Sequence, residues 1–158
     1  MLRRSLVRRS FCAAVAVSAL MFSCSASASL GDDVNSVQSD ATHLKASVRV
    51  TQSANYSVHE MQAAGGTAVR EYISPTGKVF AVAWQGAARP DLQQLLGSYY
   101  SRVAQAVQAE KMKRVGRHPI SIQEPDLVVG TGGHPRAFTG RAYVPSIMPA
   151  AVRTEEIR

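Results

Sequence analysis

REYISPTGKVFAVAWQG, residues 70–86, is the stretch whose reading decides the fold. Apolar, β-branched and aromatic residues lie on both sides of Ser74-Pro75-Thr76-Gly77, and proline second with glycine fourth is a strong turn signature. Two antiparallel strands follow. Upstream, Ala64-Gly65-Gly66 marks a second turn, so Ser47 to Trp84 reads as a three-stranded meander. Three-residue loops, a common hairpin form, pair Glu60 with Arg70, Val58 with Tyr72, His59 with Glu71, and Tyr72 with Phe80. Shifting the first loop by one residue would set Glu60 against Glu71, a like-charge pair that costs stability. In the favoured register Tyr56, Val58, Tyr72, Phe80, Val82 and Trp84 share one face, which must be buried. His59, Met61, Val69, Glu71, Ile73, Val79, Ala81 and Ala83 lie on the other.

The cover for the aromatic face is sought downstream. Pro90-Asp91 opens a helix, and Leu92, Leu95, Leu96, Tyr99, Val103, Ala106 and Val107 form one apolar stripe over 90–112, as an amphipathic helix requires. Lys111-Met112-Lys113-Arg114 ends it with charge favourable to a helix C-terminus, and Gly116 is a stop. Ile120 and Ile122 begin a strand that Pro125-Asp126 interrupts and Leu127-Val128-Val129 continues. Phe138, Gly140, Ala142 and Val144 alternate in the last strand. Gly132 and Gly133 fit a turn of positive φ, and Gly140 a bulge or close contact. Pro145 and Pro149 end regular structure, leaving 146–158 as a disordered tail. Before the meander, Val34, Val37, Ala41 and Leu44 recur at helical spacing, so 29–46 is an N-terminal helix or arm. The fold class is therefore α+β: an antiparallel sheet of about five strands, made of a meander and a C-terminal hairpin, with the central helix packed on one face. Residues 47–145 form its single domain.

Residues 1–28 read as a signal peptide. Four arginines precede an apolar run from Phe11 to Phe22, and Ala26-Ser27-Ala28 supplies a small-residue cleavage pattern. The run is short of the roughly 20 residues that span a bilayer, so cleavage leaves no transmembrane segment. Arg8-Arg9-Ser10-Phe11 resembles a twin-arginine signal beside the ordinary Sec reading, while Met21-Phe22-Ser23 before Cys24 makes a poor lipoprotein signal. Cleavage removes both cysteines and four of the 18 basic residues, leaving 14 Lys+Arg against 11 Asp+Glu. The basicity of the whole chain belongs largely to the leader, so nucleic acid is not an expected partner. The expected location is the periplasm or the extracellular space. A single hydrophobic core must hold the mature chain together without a disulfide.

REYISPTGKVFAVAWQG, RPDLQQLLGSYY and GGHPRAFTGRAYVP, in that order, resemble an uncharacterised family of exported bacterial proteins, domain-of-unknown-function family 2844. The resemblance runs over roughly residues 29–150. It implies a signal-bearing protein with one small domain, and brings no activity with it.

Few residues point to chemistry. His59 facing Glu71 across a strand pair is the arrangement that orients a general base, against the blander reading of a cross-strand polar pair. Glu60 and Arg70 fall on the aromatic face, where a buried charge must be paired; they form either a structural ion pair or the polar floor of a ligand pocket. His134, Arg136 and Arg141 sit on the last hairpin and would make a site if they gathered at one rim. The glycines beside them fail both phosphate templates, since Pro135 occupies a required glycine position and no G-x-x-x-x-G-K-[ST] occurs. His43, His59, His118 and His134 lack metal-ligand spacing, and neither a metal nor a cofactor is expected. The mature chain has no cysteine and no G-x-S-x-G elbow. The balance favours a non-enzymatic binding or envelope-associated module, whose partner is an envelope protein, a polysaccharide or a small ligand. The competing reading is a small hydrolase or isomerase-like enzyme using His59 with Glu71, or His134 with Arg136 and Arg141.

Overall fold

A computed structural model describes residues 29–63, 65–113 and 119–158. It is α+β, built on one antiparallel sheet of seven strands: β1 Val48–Gln52, β2 Ser57–Ala63, β3 Thr67–Ile73, β4 Val79–Gly86, β5 Ile120–Glu124, β6 Leu127–His134 and β7 Ala137–Tyr143. Their order across the sheet is β1-β2-β3-β4-β7-β6-β5, with β4 at the centre. The expected five become seven because two breaks are tight turns. Ser53-Ala54-Asn55 folds the first strand back, with the Ser53 amide donating to the Tyr56 carbonyl at 2.9 Å. Pro125-Asp126 is a hairpin tip between Glu124 and Leu127, not an interruption in one strand.

The β2–β3 register is the expected one, with Val58 opposite Tyr72, His59 opposite Glu71 and Glu60 opposite Arg70. The β3–β4 register is not. Tyr72 lies opposite Ala81 while Ile73 lies opposite Val79, so Phe80 is an extra residue in a β-bulge. A one-residue insertion moves every later side chain of that strand to the other face. Val82 and Trp84 thus leave the aromatic face, and Ala81 and Ala83 join it.

The two faces are covered by different segments. The inner face carries Met61, Val69, Ile73, Val82, Trp84 and Ala142, on which the helices pack. These are α1 Ser36–His43, α2 Leu92–Leu96 and α3 Tyr100–Lys113. The helical stripe holds as read, with Leu95, Leu96 and Val103 in the core and Leu92, Tyr99, Ala106 and Val107 against it. It is two helices rather than one. Gly97 at φ 48° breaks the run, and a Cβ there would lie 2.0 Å from the Ser29 Oγ, so glycine alone lets the N-terminal segment pass. The helix starts at Leu92 rather than at Pro90, and Asp91 caps it, its carboxylate accepting from the Gln93 and Gln94 amides at 2.9 and 3.2 Å. Gly116, His118 and the side chains of Lys111 to Arg114 lie outside the described residues.

The outer face is where expectation and structure differ most. Tyr72, Phe80, Ala81 and Ala83 are buried there by the chain's own C-terminal segment, through Val152 and Ile157. Among the described residues no α-helix covers this face. The segment expected to be disordered forms short 3-10 turns at Pro145–Ile147 and Thr154–Glu156, and Ile157 is fully buried. Prolines end its regular structure but do not stop it packing. At the other terminus Leu30 is buried, its amide donating to the Leu95 carbonyl at 3.0 Å.

Candidate functional site

The residues singled out in the sequence divide between the two faces and a hairpin tip. On the inner face, Glu71 is completely buried beneath α1 and α2, and neither carboxyl oxygen accepts a hydrogen bond from a donor among the described residues. Its neighbour is Asp40 of α1, which is also buried and accepts from the Gln94 side-chain amide of α2. Burial, a hydrogen bond to Asp40 and the Asp40 charge push the Glu71 carboxyl up to about 9. Glu71 is therefore a protonated acid at neutral pH, donating to Asp40. A carboxyl in that state does not orient an imidazole as an ionised partner does. His59 lies across from it on β2 with its imidazole pushed below the usual value by burial, which disfavours the cation.

Arg136 and His134 occupy the exposed tip of the β6–β7 hairpin. Pro135-Arg136 makes the turn, and Arg136 itself takes the positive φ of 71°. Gly133, with φ 101°, sits in the strand beside the tip, and Gly132 has an ordinary φ. The His134 Nδ1 lies 3.2 Å from the Pro135 carbonyl. Arg141 is not with them. It lies in the middle of β7, where its guanidinium donates to the Thr154 carbonyl at 2.8 Å and the Ile157 carbonyl at 3.4 Å. His59 and Glu71 are thus paired across the strands but without an ionised carboxylate for the imidazole, and Arg141 is not brought to the rim that carries His134 and Arg136.

The outer face does assemble a site. Arg49, Glu60, Arg70, Ala83, Arg141, Gly130 and Ser121 follow one another through the successive strand pairings, a single row that crosses all seven strands. Arg70 donates through Nε to the Glu60 carboxylate at 2.7 Å, and this bond is the main cause holding Glu60 below the usual carboxylate range. It also donates to the Arg158 backbone oxygen at 2.9 Å. Beside this row Tyr56, Tyr72 and Phe80 form an aromatic cluster with centroids 5.9–6.2 Å apart. The Tyr72 hydroxyl binds the Glu156 and Arg158 backbone oxygens at 3.2 and 3.0 Å, and Tyr56 donates to the Glu156 carboxylate at 3.0 Å. Burial, with Glu156 next, pushes the Tyr56 phenol up.

Between β1 and the C-terminal segment lies an open groove of about 570 Å³, with Arg49, Thr51, Tyr56, Glu60, Arg70 and Arg158 on its walls. A second groove of about 460 Å³ runs over β5, β6 and β7, floored by Gly130 and Gly132 and edged by Ser121, Thr139 and Arg141. Gln85 and Arg158 line both, so the C-terminal segment divides one trough. The sequence singles out Glu60, Arg70 and Arg141 and puts Tyr56 on the face of the first two, but it does not show Arg49 and Arg158 as their companions. A β-row across seven strands depends on registers that no short pattern displays, and residues 146–158 read as a disordered tail.

Over residues 26–157 the chain matches the model of a family described as a protein of unknown function, DUF2844. The chain belongs to that family. It matches no curated protein and no solved structure. Among the described residues of this DUF2844 protein, no three His, Cys, Asp or Glu side chains come together as a metal site. Among them, too, no helix is long and apolar enough to cross a membrane.

Proposed function

We propose that this DUF2844 protein is an exported, non-enzymatic binding module that engages an envelope partner through the outer face of its sheet. The observation that carries the reading is the divided trough, where the four guanidiniums of Arg49, Arg70, Arg141 and Arg158 and two tyrosines stand around open grooves. Arginine and tyrosine are the side chains most enriched where proteins are recognised. The acidic pair on the inner face is sealed beneath the helices, so it supports the fold rather than a reaction on a soluble substrate. Export is supported by the leader-like residues 1–28, with arginines before an apolar run and the Ala26-Ser27-Ala28 cleavage pattern.

The test is pull-down of the mature chain from periplasm after crosslinking, followed by mass spectrometry, run alongside Arg49→Glu. A specific partner lost or weakened at least tenfold in Arg49→Glu supports the reading. A partner retained equally by both chains, or none from either, removes the groove as the binding surface.

A further inference from the structure

The C-terminal segment lies on the outer face in the manner of a bound peptide. Three of the four sheet side chains that hold it use backbone oxygens: Arg70 and Tyr72 on Arg158, Tyr72 on Glu156, and Arg141 on Thr154 and Ile157. Such contacts read the shape of a chain and not its sequence. Selectivity comes from two other sources. Ile157 fills the apolar floor formed by Tyr72, Phe80 and Ala83. Glu156 takes the Tyr56 hydroxyl, and Glu155 is held below the usual carboxylate range by hydrogen bonds to its own backbone and to Thr154, with Arg153 and Arg141 adding their charge.

The face offers more than the segment uses. The transverse row sets Arg49, Arg70 and Arg141 against the single carboxylate of Glu60. The Arg49 side chain is exposed on the groove wall, its charge helping to hold Glu60 ionised, and among the described residues its guanidinium makes no hydrogen bond or close ion pair. Open volume remains on both sides of Arg158. Resting on the binding-module reading, we infer that this face recognises a short acidic turn followed by an apolar residue, carried by a partner protein, and that residues 152–158, through the Thr154–Glu156 turn and Ile157, are its internal mimic. A tethered segment competes at an effective concentration in the millimolar range, so the partner binds by displacing it.

The inference is tested with a fluorescein-labelled peptide of sequence VRTEEIR, that of Val152–Arg158, titrated by anisotropy into the full mature chain and into Ile157→Asp, which loosens the tethered copy. Saturable binding to Ile157→Asp, at least tenfold tighter than to the unaltered chain, is expected. A VRTKKIR peptide, or Arg70→Met added to Ile157→Asp, should weaken it at least tenfold. If Ile157→Asp keeps native Trp84 fluorescence and circular dichroism yet shows no saturable binding, the inference is wrong. It is equally wrong if that chain exchanges tails between copies and still rejects the peptide. Should Ile157→Asp not fold, the unaltered chain is used with millimolar peptide, and amide exchange is followed at Val152, Ile157 and Arg158. Faster exchange with VRTEEIR and not with VRTKKIR supports displacement, and unchanged exchange overturns it. A groove that captures an envelope partner but rejects the peptide sinks this inference alone and leaves the binding-module reading standing.

Discussion

At the scale of the residue, the least expected group is Glu71. The sequence set it opposite His59 and that pairing is correct, but what decides its chemistry is burial and, after it, Asp40, brought from thirty-one positions away by α1. No local pattern announces such a contact. Its raised value has a defined sign. The folded chain holds the Glu71 proton up to about pH 9, whereas the ordinary value is 4.5. Stability from this group is fully present below the lower value and is lost as pH rises towards the higher, with a slope approaching ~1.4 kcal/mol per pH unit. Glu71→Gln keeps a donor for Asp40 and has no proton to lose. Urea titrations at pH 6 and pH 8.5 should show this chain the more stable at the higher pH, with the gap between the two chains shrinking towards acid. An unchanged gap would show that Glu71 does not titrate in this range. Gly140 is a second residue-scale case. It pairs with Trp84, and a Cβ at this position would lie 2.2 Å from the indole Cζ2. The sequence allowed a bulge or a close contact there, and close contact is what the structure has. Gly140→Val should cost ~1–3 kcal/mol in thermal or urea unfolding, the range for overpacking a tight site.

At the scale of the element, the turns were legible and the faces were not. Ser74-Pro75-Thr76-Gly77 and the turn at Gly65-Gly66 stand where proline and glycine put them, and the β2–β3 register follows from avoiding Glu60 against Glu71. The Phe80 bulge left no comparable mark, because Tyr-Ile on one strand and Val-Phe-Ala-Val on the other are apolar in either register. With both faces of β4 buried from Val79 to Trp84, alternation carries no information about which side is which. The bulge also decides which segment covers which face. Ile157, wholly enclosed on the outer one, becomes a core residue of a stretch that reads as loose. Ile157→Ala should therefore destabilise the domain by ~2–4 kcal/mol, within the usual range for emptying a buried isoleucine site. A loss under ~0.5 kcal/mol in urea unfolding would mean that the segment contributes nothing to the fold.

At the scale of the whole molecule, sequence order and sheet order diverge after β4, since the chain leaves through α2 and α3 and returns to the far edge as β5 before β7 closes against β4. The α+β class and the antiparallel sheet could be read from local patterns. The row of Arg49, Glu60, Arg70 and Arg141 could not, because it exists only when all the strand pairings are in place. If residues 1–28 direct export as proposed, intact-mass analysis of protein recovered from periplasm will show a chain starting at Ser29, and full-length precursor in that fraction would contradict it. The central claim is that the outer face, and not the helical one, meets the partner. It is tested most directly by placing a photocrosslinking amino acid in the native chain at Thr51 on the groove wall and, separately, at Gln108 on the exposed side of α3. Irradiation in intact cells should yield a discrete crosslinked band from Thr51 and none from Gln108; a band from Gln108 alone, or the same band from both, would contradict the account.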